Sequence, residues 1–284
     1  MASAPDPGPA PPGVNAALWR EVGWFPAPVA MLSEFTRPDS AAVVRWLGAV
    51  TPKEVVCERA LLGVDHYFLA AASDDGLQPT HVFYGTSTRA DIEACASLMS
   101  FEAPAQVRAD GVLTSIGFGQ RQMWLGFARL GDRTVVVADR VRTRVEAFVG
   151  ASGRLSHGLD HAAPVVEGLG IIDRKADTWA VATSDATTDL IGVASRVHAF
   201  HIDNLTADNN RPIALRVWAR FESEQDAKLA KTRLDALVAR HETRRGINLH
   251  YEAVGAEDPS TVHAQLQVSA LAELGQLRNT AQRP

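Results

Sequence analysis

His157 and His161 lie four positions apart with Asp160 between them, a spacing that on a helix would present both imidazoles to one divalent metal. The flanking RLSHGLD, broken by Gly158, reads as a loop. No HExxH accompanies the pair and no third ligand can be named, so we expect solvated loop histidines and assign no metal site. His198 and His201 are three apart on a predicted strand, which sends their side chains to opposite faces. Cys57 and Cys95 are too few and too far apart for a thiolate zinc knuckle. Cys57 falls in a candidate strand, EVVCE, and Cys95 on a helical stripe with Ile92 and Met99. We expect two buried, reduced thiols; a disulfide between them is the arrangement an exported chain would also permit. The GASG run at 150–153 lacks the spacing of a nucleophile elbow and reads as a turn, while GFGQRQ at 117–122 stops short of a dinucleotide fingerprint and reads as a hairpin. The sequence therefore assigns no catalytic or cofactor-binding residue, calls for no cofactor, and points to a protein that is not an enzyme.

Composition narrows the partners. Twenty-eight Lys and Arg are scattered along a chain of formal net charge -5, which offers no basic field for nucleic acid. No apolar run reaches the roughly 20 residues that a membrane-spanning helix requires, and the N-terminus has neither the basic nor the apolar region of a signal peptide. The expectation is a soluble chain with no spanning segment. Its first 13 residues, MASAPDPGPAPPG, cannot bury apolar surface and favour extended geometry. Three uses fit this arm: a plain terminus, a stalk left after export, or a strap along a partner. Trp19, Trp24 and Phe25 follow it in ALWREVGWFPAP and should anchor the N-terminal segment on the core.

The elements that would position such residues repeat in pattern. Shifting the chain by 135 positions places Val82 on Val217, Phe83 on Trp218, Thr88 on Ser223, Asp91 on Asp226, Cys95 on Ala230 and Met99 on Leu234. In both copies a strand runs into a helix opened by a hydroxyl residue with Asp three positions on, a pattern that satisfies the free N–H groups of the first turn. From Ile213, apolar Leu215, Val217, Ala219 and Phe221 alternate with Arg216, Trp218 and Arg220, the period of a strand with one buried face. Each copy then reads as strand, helix, two or more strands and a second helix. The predicted fold is α+β, two tandem ferredoxin-like units of antiparallel sheet with helices on one face. The predicted boundaries are an arm and anchor at 1–40, a first unit at 41–175 and a second at 176–284.

By the same alternation, Phe83, Arg216, Trp218 and Arg220 fall on a sheet face opposite the helix stripe. Trp and Arg are enriched where partners bind, so these four form the candidate partner surface; packing of the two copies against each other would bury them equally well.

The runs RTVVVADRVRTRVEAFVG, APVVEGLG and DTWAVAT, with the earlier LGVDHYFLAAA and HVFYGTSTRADIEACASLM, resemble uncharacterised envelope proteins and lipoproteins of myxobacteria and related bacteria over about residues 40–185. The resemblance implies duplicated ferredoxin-like domains, often exported, with no family active site to carry over. Together these readings predict a non-catalytic binding or assembly component of a bacterial envelope, with a protein partner or self-association. A self-assembling structural subunit is the first alternative, and a His-dependent metal or cofactor enzyme the second. The chain would lie in the periplasm or envelope if a signal peptide has been removed, and otherwise in the cytoplasm.

Overall fold

Alternating apolar and polar residues become long antiparallel strands in the computed structural model. It describes residues 2–3, 6–26, 29–35, 63–72, 79–98, 106–111, 113–118, 121–150, 159, 162–183, 192–203, 213–242, 250–254 and 258–268. The chain forms two compact units, Met1–Ala162 and Ala163–Pro284, a division ahead of the predicted 175.

In the first unit, strands β2 (Met31–Phe35), β3 (Val64–Ala71), β4 (Thr80–Gly85), β5 (Gln106–Asp110), β6 (Leu113–Phe118), β7 (Arg121–Leu130) and β8 (Arg133–Asp139) pair in the order β2-β3-β4-β8-β7-β6-β5. Every ladder on this path is antiparallel. β7 outlasts β6, whose last partner is Gly126. The short β1 (Ala2–Ser3) then pairs in parallel with Ala128 and Arg129. Hairpins set this order locally. Gly131, at φ 64, stands in the tight turn where Leu130 meets Arg133, and Gly111, at φ 60, follows β5; glycine adopts such angles without steric cost.

Among the described residues, three helices accompany this sheet: α1 (Ala16–Val22), α2 (Arg89–Leu98) and α3 (Arg142–Val149). α2 lays Ile92 against Ile116, Leu125, Phe127, Val136 and Ala138. The opposite face receives α3, where Gly126 leaves room for Val145 and Val149. On that same face Trp24 and Phe25, just after α1, meet Phe148 and Phe68 edge to face, with centroids 5.1–6.0 Å apart. Trp19, Trp24 and Phe25 are all buried, as an anchor requires.

The second unit orders β9 (Thr178–Thr183), β10 (Val197–Asp203), β11 (Ile213–Arg220), β12 (His250–Val254) and β13 (Thr261–Val268) as β12-β13-β11-β10-β9, again antiparallel throughout. Helix α4 (Ala163–Leu169) approaches through Gly168, which sits against Val181 and Val197. Helix α5 (Glu224–Glu242) lays Ala227 and Ala230 on Ala219, Phe221 and Val262, residues of the other face.

The α+β content is as predicted, but the ferredoxin-like units are not. A ferredoxin-like sheet gains parallel neighbours from its two crossover helices, whereas here the strands after α2 form a meander that folds back to set β8 antiparallel to β4. Helices also lie on both faces of each sheet, not on one. The caps were read correctly. Thr88 Oγ1 and Asp91 Oδ2 exchange hydrogen bonds with each other's backbone N–H at the start of α2; at α5 the Asp226 N–H donates to Ser223 Oγ, whose hydroxyl donates to Asp226 Oδ2. The shared strand-to-helix order does not amount to a duplicated fold, because a four-strand meander returns to β4 but only the β12–β13 hairpin returns to β11.

Candidate functional site

On the α1 face of the first unit, four adjacent strands contribute one row of polar side chains. Glu34 of β2 sits diagonal to His66 of β3, His66 pairs with Tyr84 of β4, and Arg133 of β8 follows. Parity explains the row: Glu34 shares its face with Leu32, as His66 does with Phe68, so each polar group is carried inward by an otherwise apolar stripe. The register slips between Val64 and His66, the kind of irregularity that re-aims a side chain. Glu21 reaches the row from α1, where it lies three positions after buried Leu18.

The contacts are short. His66 Nδ1 lies 2.7 Å from Glu34 Oε1, and Nε2 lies 3.8 Å from Glu21 Oε1. An Arg133 N–H donates to that same Glu21 oxygen at 2.8 Å. The Tyr84 hydroxyl donates to the Glu21 backbone carbonyl; burial first, and then Glu21, push its phenol well above the usual range, so it stays a donor. Glu34 is fully buried, and a carboxylate so placed requires charged or hydrogen-bonding partners. Glu21, Glu34 and His66 are the group of potential metal-ligating residues among those described, with ligand atoms within 4.8 Å of one another.

The opposite face of this sheet carries a ring stack. Tyr67 lies flat against Phe35, Phe83 and His81, with interplanar angles of 20°, 9° and 8°. Burial lowers the His81 pKa, and its Nδ1 shares a hydrogen bond with the Tyr67 hydroxyl at 2.7 Å. Phe83 is therefore half-buried within a stack and also packs on the cluster beneath α2. It shares the face of its helix, contrary to the predicted opposite face.

In the second unit, Arg216, Trp218 and Arg220 do share one face of β11, across the sheet from α5. That face is not helix-free, since α4 lies on it and its Glu167 binds Arg220 at 2.5 Å. Arg220 also meets Asp258 at 2.7 Å, and Arg216 meets Asp173 and Asp203 at 3.3 and 3.2 Å. Trp218 stands between these braced guanidiniums, half-buried and tilted toward His263 at 6.3 Å.

His198 and His201 occupy opposite faces of β10, as alternation predicts, and both are buried. His201 Nε2 accepts the Asp173 N–H at 2.9 Å. His198 Nδ1 lies 3.2 Å from Ser195 Oγ, and burial lowers its pKa to about 4. His157, His161, Ser152 and Cys57 lie outside the described residues; Cys95 falls within α2, its side chain undescribed.

Glu21, Glu34, His66 and Arg133 were missed by sequence spacing because Glu21 and Arg133 are 112 positions apart. One signal was available: Glu34 in MLSEF occupies the parity of Leu32, so an ionisable group was being carried into a core.

No family model matches the chain, and no curated protein matches it. Among solved structures it is similar to crystal forms I and III of TP0453, with TM-scores of 0.53 and 0.51 at 8% identity. The first match covers 92% of this chain and 96% of that one, the second 91% and 97%. Crystal form IV gives 0.47. At this identity the likeness is one of fold alone.

Proposed function

We propose that this chain is a non-catalytic binding or assembly component of a bacterial cell envelope, engaging a protein partner through the Trp218 face of its second unit. The observation that carries this reading is the bracing of Arg216 and Arg220 by two carboxylates each, on either side of a half-buried Trp218. Guanidiniums held in this way lose little side-chain freedom when a partner docks, and Trp with Arg is the pairing that interfaces favour. The envelope placement is supported by the resemblance of residues 40–185 and by the Pro- and Ala-rich arm. Among the described residues no helix is long and apolar enough to cross a membrane. On this reading the chain works in the periplasm or envelope once a signal peptide has been removed, and in the cytoplasm otherwise.

A photo-crosslinking residue at position 218, irradiated in the native host, tests this reading. A hetero-adduct in the envelope fraction is expected, with none when the same group replaces Leu229, an exposed position on α5. An adduct of twice the chain mass would instead favour the self-assembling subunit. Equal labelling from both positions would remove the Trp218 face from consideration.

A further inference from the structure

We propose that Glu21, Glu34 and His66 form a site for a divalent transition-metal cation, with the Arg133 guanidinium standing in the ion's place when it is absent. Glu34, fully buried, accepts from His66 Nδ1 at 2.7 Å. That contact fixes the ring with its Nε2 toward Glu21. A carboxylate behind an imidazole whose other nitrogen faces outward is the arrangement by which proteins orient a metal-bound histidine. Nε2 and Glu21 Oε1 are 3.8 Å apart; two ligands on a tetrahedral ion, each bonded at about 2.0–2.1 Å, stand about 3.4 Å apart. A shift of about 0.4 Å, well within side-chain motion, therefore seats the ion.

The charges fit the same occupant. Glu21 and Glu34 bring two carboxylates to His66, and Arg133 binds the very Glu21 oxygen that an ion would take. Arg133 has somewhere to go: its Nε lies 3.9 Å from Asp65 Oδ2, and both side chains reach solvent, being 36% and 48% exposed. The His66 side chain is 21% exposed, which gives the ion a way in and allows water to complete its coordination. Imidazole with carboxylate suits zinc and its neighbours rather than calcium, which prefers an all-oxygen shell.

The test is equilibrium dialysis of the chelator-stripped full chain against Zn2+, with bound metal quantified and Ca2+ run in parallel. The expected results are one Zn2+ per chain, no Ca2+, loss of Zn2+ in His66→Ala, and no change in His263→Ala. Glu34→Gln should weaken binding by about 10- to 100-fold, the usual effect of removing an orienting partner. Arg133→Met keeps all three residues and removes the competitor, so it should bind Zn2+ more tightly and gain more in Tm from it than the parent chain. This variant decides the matter should His66→Ala fail to fold. Absence of stoichiometric Zn2+ on the parent chain, equal uptake by a folded His66→Ala, or weaker binding by Arg133→Met would each overturn the site.

Discussion

Histidine chemistry at the residue scale is governed here by burial. His198 is 2% exposed, and burial lowers its pKa from 6.5 to about 4. His201 and His81 move in the same direction for the same first reason. The neutral ring is the folded form, so between pH 6.5 and about 4 the unfolded chain binds more protons at His198 than the native one does. Stability from this residue is complete above pH 6.5 and drains away as pH falls toward 4. A depression of this size corresponds to something on the order of 3 kcal/mol from His198 alone. Denaturant melts at pH 7.5 and pH 5 should show the loss, and His198→Gln should flatten the slope between them. An unchanged slope in that variant would reject His198 as its source. The opposite orientations of His198 and His201 could be read from their spacing. Their partners could not, since the Asp173 N–H and Ser195 Oγ arrive from outside the strand. The Glu21, Glu34, His66 and Arg133 row was illegible for the same reason at longer range.

At the scale of elements, a glycine that reads as a strand weakness proves to be a docking point. Gly126 lies in the middle of β7, and a Cβ there would come within 2.5 Å of Val149 Cγ1 and 2.7 Å of Val145 Cγ1. Gly126→Ala should therefore destabilise the first unit by about 1–3 kcal/mol through overpacking, even though alanine has the better intrinsic backbone preference. Adding Val149→Ala should recover part of that loss. If the double variant is instead less stable than the sum of the singles, α3 does not dock through this contact. The strands themselves were legible because alternation is strong in runs such as IALRVWAR. The caps were legible because Thr88 with Asp91 and Ser223 with Asp226 are local chemistry. Topology was not: strand, helix and strand in sequence are compatible with a parallel crossover or with an antiparallel return. The choice is made by which strand β8 finds, and Val136 opposite Phe83 is a pairing that no local spacing encodes.

For the whole molecule, extended antiparallel sheet raises the question of how it avoids stacking edge on edge with copies of itself. Among the described residues, β5 ends the strand order of the first unit, and β12 that of the second. An unguarded edge is a template for another chain, and charge on the edge is a usual defence. β5 places Arg108 and Asp110 at exposed positions, and Asp110 is tied at 2.9 Å to Arg142, whose guanidinium also lies over the Trp124 ring at 4.8 Å. Bringing a second β5 alongside would press like charges together in a parallel register, or would require Arg142 to release Asp110 in an antiparallel one. On these grounds assembly of copies through this edge is disfavoured. The consequence is measurable by light scattering coupled to size exclusion. The parent chain should show no mass increase with concentration that depends on β5, whereas Arg108→Val with Asp110→Val, which leaves a neutral strand of high β-propensity, should drive concentration-dependent association. If the double variant keeps the parent's mass across the same concentrations, the charges are not what guards the edge. If the parent assembles and the double variant dissociates, β5 is itself an assembly interface and the self-assembling subunit becomes the better account of the molecule.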